Sequence, residues 1–257
     1  MKKVWITALT REQEPVQKIS AILKNYGLAV DGHFWEDDLK NMVWSAPLTE
    51  ISLRETALWI IMGKKEDFDV PSVRLGLSLL AISVQAQKDY LFPIMLISMT
   101  GDIDTGSFPT ALAGADLIPY SSASLGAKVA ARANMPAKKT NADYRIFPHA
   151  IPGIGLWFEV GPVRDLWEGV ILGVSGGEID VHGVGKANEL PQKAVLEYPV
   201  KGMKLAISDK QYTAWGVKNK IDHDESYYVR VNGEPESIIF GSFPEGAEAD
   251  LYCLKLK

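Results

Sequence analysis

The chain reads as an α/β protein, a doubly wound parallel five-stranded sheet followed by an all-β sandwich or barrel domain. Three observations predict this. Across residues 3–134, compact apolar runs alternate with amphipathic stretches about five times, the order of strand–helix–strand units. Beyond residue 140 the segments shorten, and Gly, Pro and Asn clusters separate them. Composition shifts at the same place: residues 1–140 hold 15 basic and 15 acidic residues with 8 glycines, whereas 141–257 hold 12 and 17 with 14 glycines.

In chain order, Lys3–Leu9 is a compact apolar run suited to a buried parallel strand. Glu14–Tyr26 places Val16, Ile19, Ile22 and Leu23 at helical spacing, and Gly27 stands as a stop. Leu28–Trp35 reads as the second strand and Ala57–Gly63 (ALWIIMG) as a central one. Pro71–Gln87 opens with proline at a helix-start position and lines Leu75, Leu79, Ile82 and Ala86 along one side. Pro93–Met99 and Ala115–Pro119 are the last two strands, and Ser122–Asn134 is an alanine-rich helix that Ser122 or Ser124 can cap.

The second half predicts strands at Ile154–Val160, Leu166–Val174, Glu178–Val184, Ala194–Val200, Met203–Ser208, Tyr227–Val231, Ser237–Phe243 and Ala249–Leu256. Ser175-Gly176-Gly177 and Asn232-Gly233 read as turns between them, because these residues tolerate positive φ. The expected domains are 1–135, a polar linker at 136–147, and 148–257.

Composition narrows the function. With 47% hydrophobic and 23% charged residues, the chain has material for a substantial core. The formal charge of −5 argues against a nucleic-acid partner. Cys253 is the only cysteine, so an intrachain disulfide or a thiolate metal cluster is not expected. No signal-peptide pattern and no long apolar run is visible, so the expectation is a cytoplasmic protein without a membrane partner. The histidines (His33, His149, His182, His223) are scattered without zinc spacing, and no metal is expected. Asp222-His223-Asp224-Glu225 reads as a solvated turn. Trp157, Trp167 and Trp215 read as packing residues of the β half, with an exposed sugar- or peptide-binding face as the alternative.

In an open parallel sheet, ligands bind at the carboxyl ends of the strands where the chain order reverses. That rim holds Thr7, Thr10, Arg11, Trp35, Gly63, Lys64, Ser98 and Thr100 as candidate ligand-binding residues. Trp35 would stack on a nucleotide base, and Glu36 and Asp37 are the candidate catalytic carboxylates. A phosphate-cradling glycine loop is missing after the first strand, and no Walker-type Gly-Lys-Ser/Thr occurs, so a nucleotide is a possible ligand rather than a resident cofactor.

The run KVWITALTREQE, the helix leading into KNYGLAVDGHFWEDDLKNMVW, and then PLTEISLRETALWIIMGKK and PSVRLGLSLL resemble the Toll/interleukin-1 receptor (TIR) domain over residues 3–100, which implies a flavodoxin-like fold for the first half. The resemblance places Thr7, Thr10 and Arg11 in the first loop, Trp35 to Asp38 in an acidic loop, and Trp44 at the later tryptophan. It departs at one point. Active members carry a glutamate on the helix after the third strand, and laying Ser72 on that motif's serine puts Ser78 in the glutamate's place. A serine cannot stabilise an oxocarbenium charge as a carboxylate does. What the resemblance implies is therefore a degenerate, non-catalytic signalling or assembly module working through a protein partner or self-association.

Residues 93–133 resemble instead the end of a response-regulator receiver domain, in PIMLISMTGD and ALAGADLIPYSSASLGAKVAAR. The carboxylates that hold Mg²⁺ there are replaced by Thr7-Ala8 and Ile61-Met62-Gly63, which leaves a pseudo-receiver with a β effector domain as a further alternative. The enzyme alternative is a nucleotide-processing hydrolase or glycosyltransferase, similar to an NAD glycohydrolase, using the sheet rim.

Overall fold

A computed structural model describes residues 1–136, 140–244 and 250–257. The chain divides into two compact units, Met1–Thr140 and Asn141–Lys257.

The first unit is a five-stranded, all-parallel sheet in the order β2-β1-β3-β4-β5. Its strands are β1 (Lys3–Ala8), β2 (Ala29–Phe34), β3 (Thr56–Gly63), β4 (Ile94–Ser98) and β5 (Asp116–Pro119). Alternate residues of the central strands enter different layers. Val4, Ile6, Ala8, Leu58, Ile60, Met62, Met95 and Ile97 join a core completed by α1 (Gln13–Asn25) and α5 (Leu125–Asn134), through Ile19, Leu23, Leu125 and Val129. Gly27 ends the first helical segment with φ +74°, and its N–H donates to the Lys24 carbonyl at 3.0 Å, as its glycine signal predicts.

Against the other face pack the short helix α2 (Leu48–Ser52) and the long helix α4 (Pro71–Lys88); α3 (Lys65–Phe68) precedes α4. The sequence suggested that α4 has one apolar side. In the structure it is buried on nearly every side from Val73 to Val84, Arg74 excepted, which its near-continuous apolar composition permits. Pro71 occupies the first helical position, where no N–H is needed.

The second unit is a seven-stranded antiparallel sheet ordered β6-β7-β11-β8-β10-β9, with β12 also pairing with β11. Its strands are β6 (Tyr144–Ile151), β7 (Gly155–Pro162), β8 (Trp167–Lys186), β9 (Val200–Ile207), β10 (Lys210–Ile221), β11 (Glu225–Ser242) and β12 (Tyr252–Lys255). β6 starts within the segment expected as a linker, and β10 corresponds to no predicted strand. No strand occupies 194–199. The proposed start of the last strand at Ala249 lies outside the described residues.

The largest difference concerns the predicted turns. Ser175-Gly176-Gly177 and Asn232-Gly233 do not end strands. They lie opposite each other inside β8 and β11, where the pairing register shifts between Gly233 and Ser237. Gly176 (φ +77°) and Gly233 (φ +83°) supply the positive φ that such a bulge requires. Two sequence signals for reversal thus act as a crease across two paired strands. Below it, residues 225–233 of β11 pair with β7 and β8; above it, residues 237–242 pair with β8 and β12. The crease folds the sheet over itself. Tyr144 of β6 meets Phe240 (5.0 Å between ring centroids) and Tyr252 (4.3 Å), and His182 meets Trp215 at 4.9 Å. Trp157 and Trp167 are buried, so these indoles pack within the unit rather than form an exposed binding face.

A Cβ at Gly233 would have no neighbour closer than 3.8 Å, so only its backbone conformation resists substitution. Gly233→Ala is expected to lower stability by about 1–2 kcal/mol, the usual cost of a left-handed L-residue, with the denaturant slope unchanged. Urea titration of the variant checks this.

Candidate functional site

The order β2-β1-β3 reverses direction between β1 and β3, so the crevice of a doubly wound sheet falls between the loops that follow these strands. Local chemistry draws those loops together. The Leu9 N–H donates to the Met62 carbonyl at 2.8 Å, and the Met99 N–H to the Gly63 carbonyl at 2.8 Å. A Cβ on Gly63 would approach the Leu9 side chain to 2.9 Å, so glycine is what lets Leu9 close over the end of β3. The Lys64 ammonium sits 2.5 Å from a Glu12 carboxylate oxygen, joining the two loops above Leu9. Its hydrogen bond to Glu12 and the nearby negative charge hold Lys64 above the ordinary lysine range. The Lys64 N–H donates to the Asp67 carboxylate at 2.7 Å, which starts α3.

The predicted site residues separate on inspection. Thr10, Arg11, Lys64 and Thr100 do reach this rim, where Arg11 and Thr100 are exposed and the Thr10 hydroxyl lies 3.8 Å from Met99 Sδ. Thr7 requires correction as a ligand contact. It is fully buried, and its hydroxyl oxygen accepts the indole N–H of Trp59 at 2.8 Å. Trp35 requires the same correction. At 6% exposure it offers no stacking surface, because its ring lies against Gly76 of α4, where a Cβ would come within 2.7 Å of Cζ2. Ser98 is nearly buried, and its hydroxyl turns back to the carbonyls of Gly101 (2.7 Å) and Thr100 (3.0 Å). Gly63 contributes space, as described above, and is buried.

Glu36 and Asp37 are exposed, as a catalytic or contact residue requires. Asp37 accepts a hydrogen bond from Ser72 of α4 at 2.6 Å. Asp38 is held below the usual carboxylate range by the side-chain amide and backbone N–H of Asn41. Ser78, standing where the resemblance calls for a glutamate, is fully buried in α4, and its hydroxyl has no partner among the described residues. A carboxylate there would be desolvated rather than presented to a ligand.

Sequence reasoning missed a polar cluster in the β unit. Glu159 of β7, 2% exposed, receives His149 Nε2 at 2.7 Å and the Asn188 N–H at 2.7 Å. Burial pushes its carboxyl up, but the bonds from His149, Asn188 and Ser226 outweigh that and hold it below the ordinary range. The Tyr228 hydroxyl donates to the Lys186 carbonyl at 2.5 Å and accepts the Glu189 N–H at 3.0 Å. Arg145 donates to the carbonyls of Pro162 and Glu225, the latter at 2.6 Å. The cluster fastens the connection after β8 to the sheet. Its signal in the sequence is a lone acid inside the apolar strand LWFEV. His182, with burial as the main cause and Lys201 as the second, is pushed down to about 4 and stays neutral near pH 7. The exposed Asp222, His223 and Asp224 place one possible ligand atom each within 4.8 Å of one another, an arrangement that exposed acidic groups commonly show without a metal.

Two outcomes test these assignments. Thr7→Val removes the acceptor of a buried indole N–H, so a loss of about 1–3 kcal/mol is expected in urea unfolding, without a change of fold by circular dichroism. Glu159 has a lowered folded value, so its stabilisation is present above pH 4.5 and fades as pH falls through that value toward the folded one. Glu159→Gln is therefore expected to cost roughly 1.5–3 kcal/mol at pH 7 and to flatten the acid limb of a Tm-against-pH curve.

No family model matches the chain, and no curated protein matches it. Among solved structures, the crystal structure of CapF with the inhibitor 3-isopropenyl-tropolone is similar at 9% identity and a TM-score of 0.23, over 97% of this chain and 98% of that one. A likeness of that size carries no argument about fold or function.

Proposed function

We propose that the protein is a non-catalytic signalling or assembly component, in which a degenerate TIR-like α/β unit and a β-sandwich unit act by binding a protein partner or a second copy of the chain. The closed switch point is the observation that carries this reading. Leu9 lies over Gly63, Lys64 is paired with Glu12, the Thr7 hydroxyl is engaged by Trp59, and Trp35 is packed under α4. Such a rim offers a nucleotide few free polar groups and no buried carboxylate. Ser78, in the glutamate's place, supports the same reading.

The contact surface belongs to the edge of the parallel sheet. Among the described residues β2 pairs with β1 alone, which leaves one row of its backbone groups unpaired within the sheet, and Asp31 within it and Glu36 and Asp37 after it are exposed. Among the described residues, no helix is long and apolar enough to cross a membrane. Exposed Glu36 and Asp37 favour one second reading, a nucleotide-processing hydrolase or glycosyltransferase in which one of them serves as the carboxylate.

Light scattering across a concentration series, together with incubation with NAD and nucleosides, separates the two readings. The expected result is reversible self-association without nucleotide turnover. A strict monomer at high concentration removes the self-association arm, and turnover abolished by Glu36→Gln overturns the non-catalytic reading.

A further inference from the structure

The opposite end of the parallel sheet, at the amino ends of the strands, holds a cavity of about 480 Å³, within the size range of small-molecule sites. It opens between Lys2 ahead of β1, Thr56 at the start of β3, the end of α4 and Pro93 ahead of β4. Its walls are of two kinds. Leu91 and Met135, 49% and 50% exposed, are large apolar side chains left in water at its lining, with Phe92 buried beside them. Four cations, Lys2, Arg54, Lys88 and Arg132, line it against one acid, Asp89.

Most of those charges are accounted for internally. Arg132 pairs with Asp116 at 2.8 Å, and Lys2 donates to the Ala133 carbonyl at 2.8 Å. Asp89 accepts the Thr140 N–H and hydroxyl and the Leu91 N–H, which hold its carboxylate in place. Lys88 behaves differently. Its ammonium donates to the carbonyls of Leu53 (2.5 Å) and Thr56 (2.7 Å), and an ammonium carries three N–H groups. The ammonium also lies over the Phe92 ring, 5.0 Å from its centroid, in a wall where burial penalises the charge and the negative charge of Glu55 opposes that penalty. Exposed Arg54 has no partner among the described residues.

We propose that this cavity binds a small amphiphilic monocarboxylate, whose carboxylate is taken by the Arg54 guanidinium, with the positive charge of Lys88 in the same lining, and whose apolar body covers Leu91, Phe92 and Met135. The chemistry selects that class on two counts. A neutral apolar ligand would leave Arg54 without an anionic partner, and a fully polar anion would leave Leu91 and Met135 exposed. A guanidinium matches the two oxygens of a carboxylate in one plane. The site stands at the other end of the sheet from the rim discussed above and does not depend on the reading proposed for that rim.

Isothermal titration of the full chain with sodium octanoate, octanamide and octylamine tests it. The expected result is saturable one-to-one binding of octanoate, with octanamide and octylamine at least about tenfold weaker, the effect of losing one charge-assisted bond. Arg54→Ala is expected to weaken octanoate about tenfold, and Leu91→Glu, which sets a negative charge at the apolar wall, to abolish binding. Both positions are exposed, so both variants should keep the parent circular dichroism spectrum. Absence of saturation up to about 10 mM octanoate, equal affinity for octanamide, or an unchanged Kd in both variants overturns the proposal.

Discussion

The hydrogen bond from the Trp59 indole to the Thr7 hydroxyl underlies the α/β unit. It joins the two central strands at the point where the winding order reverses, inside a layer that water does not reach. Trp59 is among the largest fully buried side chains of the molecule, and its single polar atom must find an acceptor there. Thr7 is that acceptor. A hydroxyl that a doubly wound sheet could offer to a ligand is thereby committed to its own core, and Leu9 and the Lys64–Glu12 pair complete the closure above it.

How much of this was legible in the sequence follows from the physics of each half. Parallel strands covered on both faces are continuous apolar runs, so β1, β3 and β4 stood out in the segments KVWITAL, ALWIIMG and PIMLISM. In the β unit, β10 mixes Lys210, Lys218, Asn219 and Lys220 with Tyr212, Ala214 and Val217, and its apolar side is visible only once its neighbours are known. Glycine marked the right places but not the right event, since a reversal and a bulge demand the same positive φ. Gly176 and Gly233 therefore read as strand ends when they are mid-strand creases.

The candidate site was legible by position and illegible by exposure. Chain order alone puts Thr7, Trp35, Gly63 and Ser98 at the carboxyl ends of the strands. Whether each faces solvent depends on residues far away in sequence: Gly76 admits the Trp35 ring beneath α4, and Trp59 captures Thr7 from 52 positions along the chain. Glu159 shows the converse. A lone acid stands in an apolar strand, but it went unread because its partners His149, Asn188 and Ser226 come from three other segments, and only the folded sheet assembles them.

The crease in the β unit has a thermodynamic consequence. β8 and β11 each run through both layers of the folded sheet without a break in the chain, and they pair with each other on both sides of the bulge. Neither layer owns a complete set of strands, so neither can detach and melt while the other persists. The two layers are therefore expected to lose order together, and a cut at Gly176 or Gly233 would sever only one of the two unbroken strands that tie them.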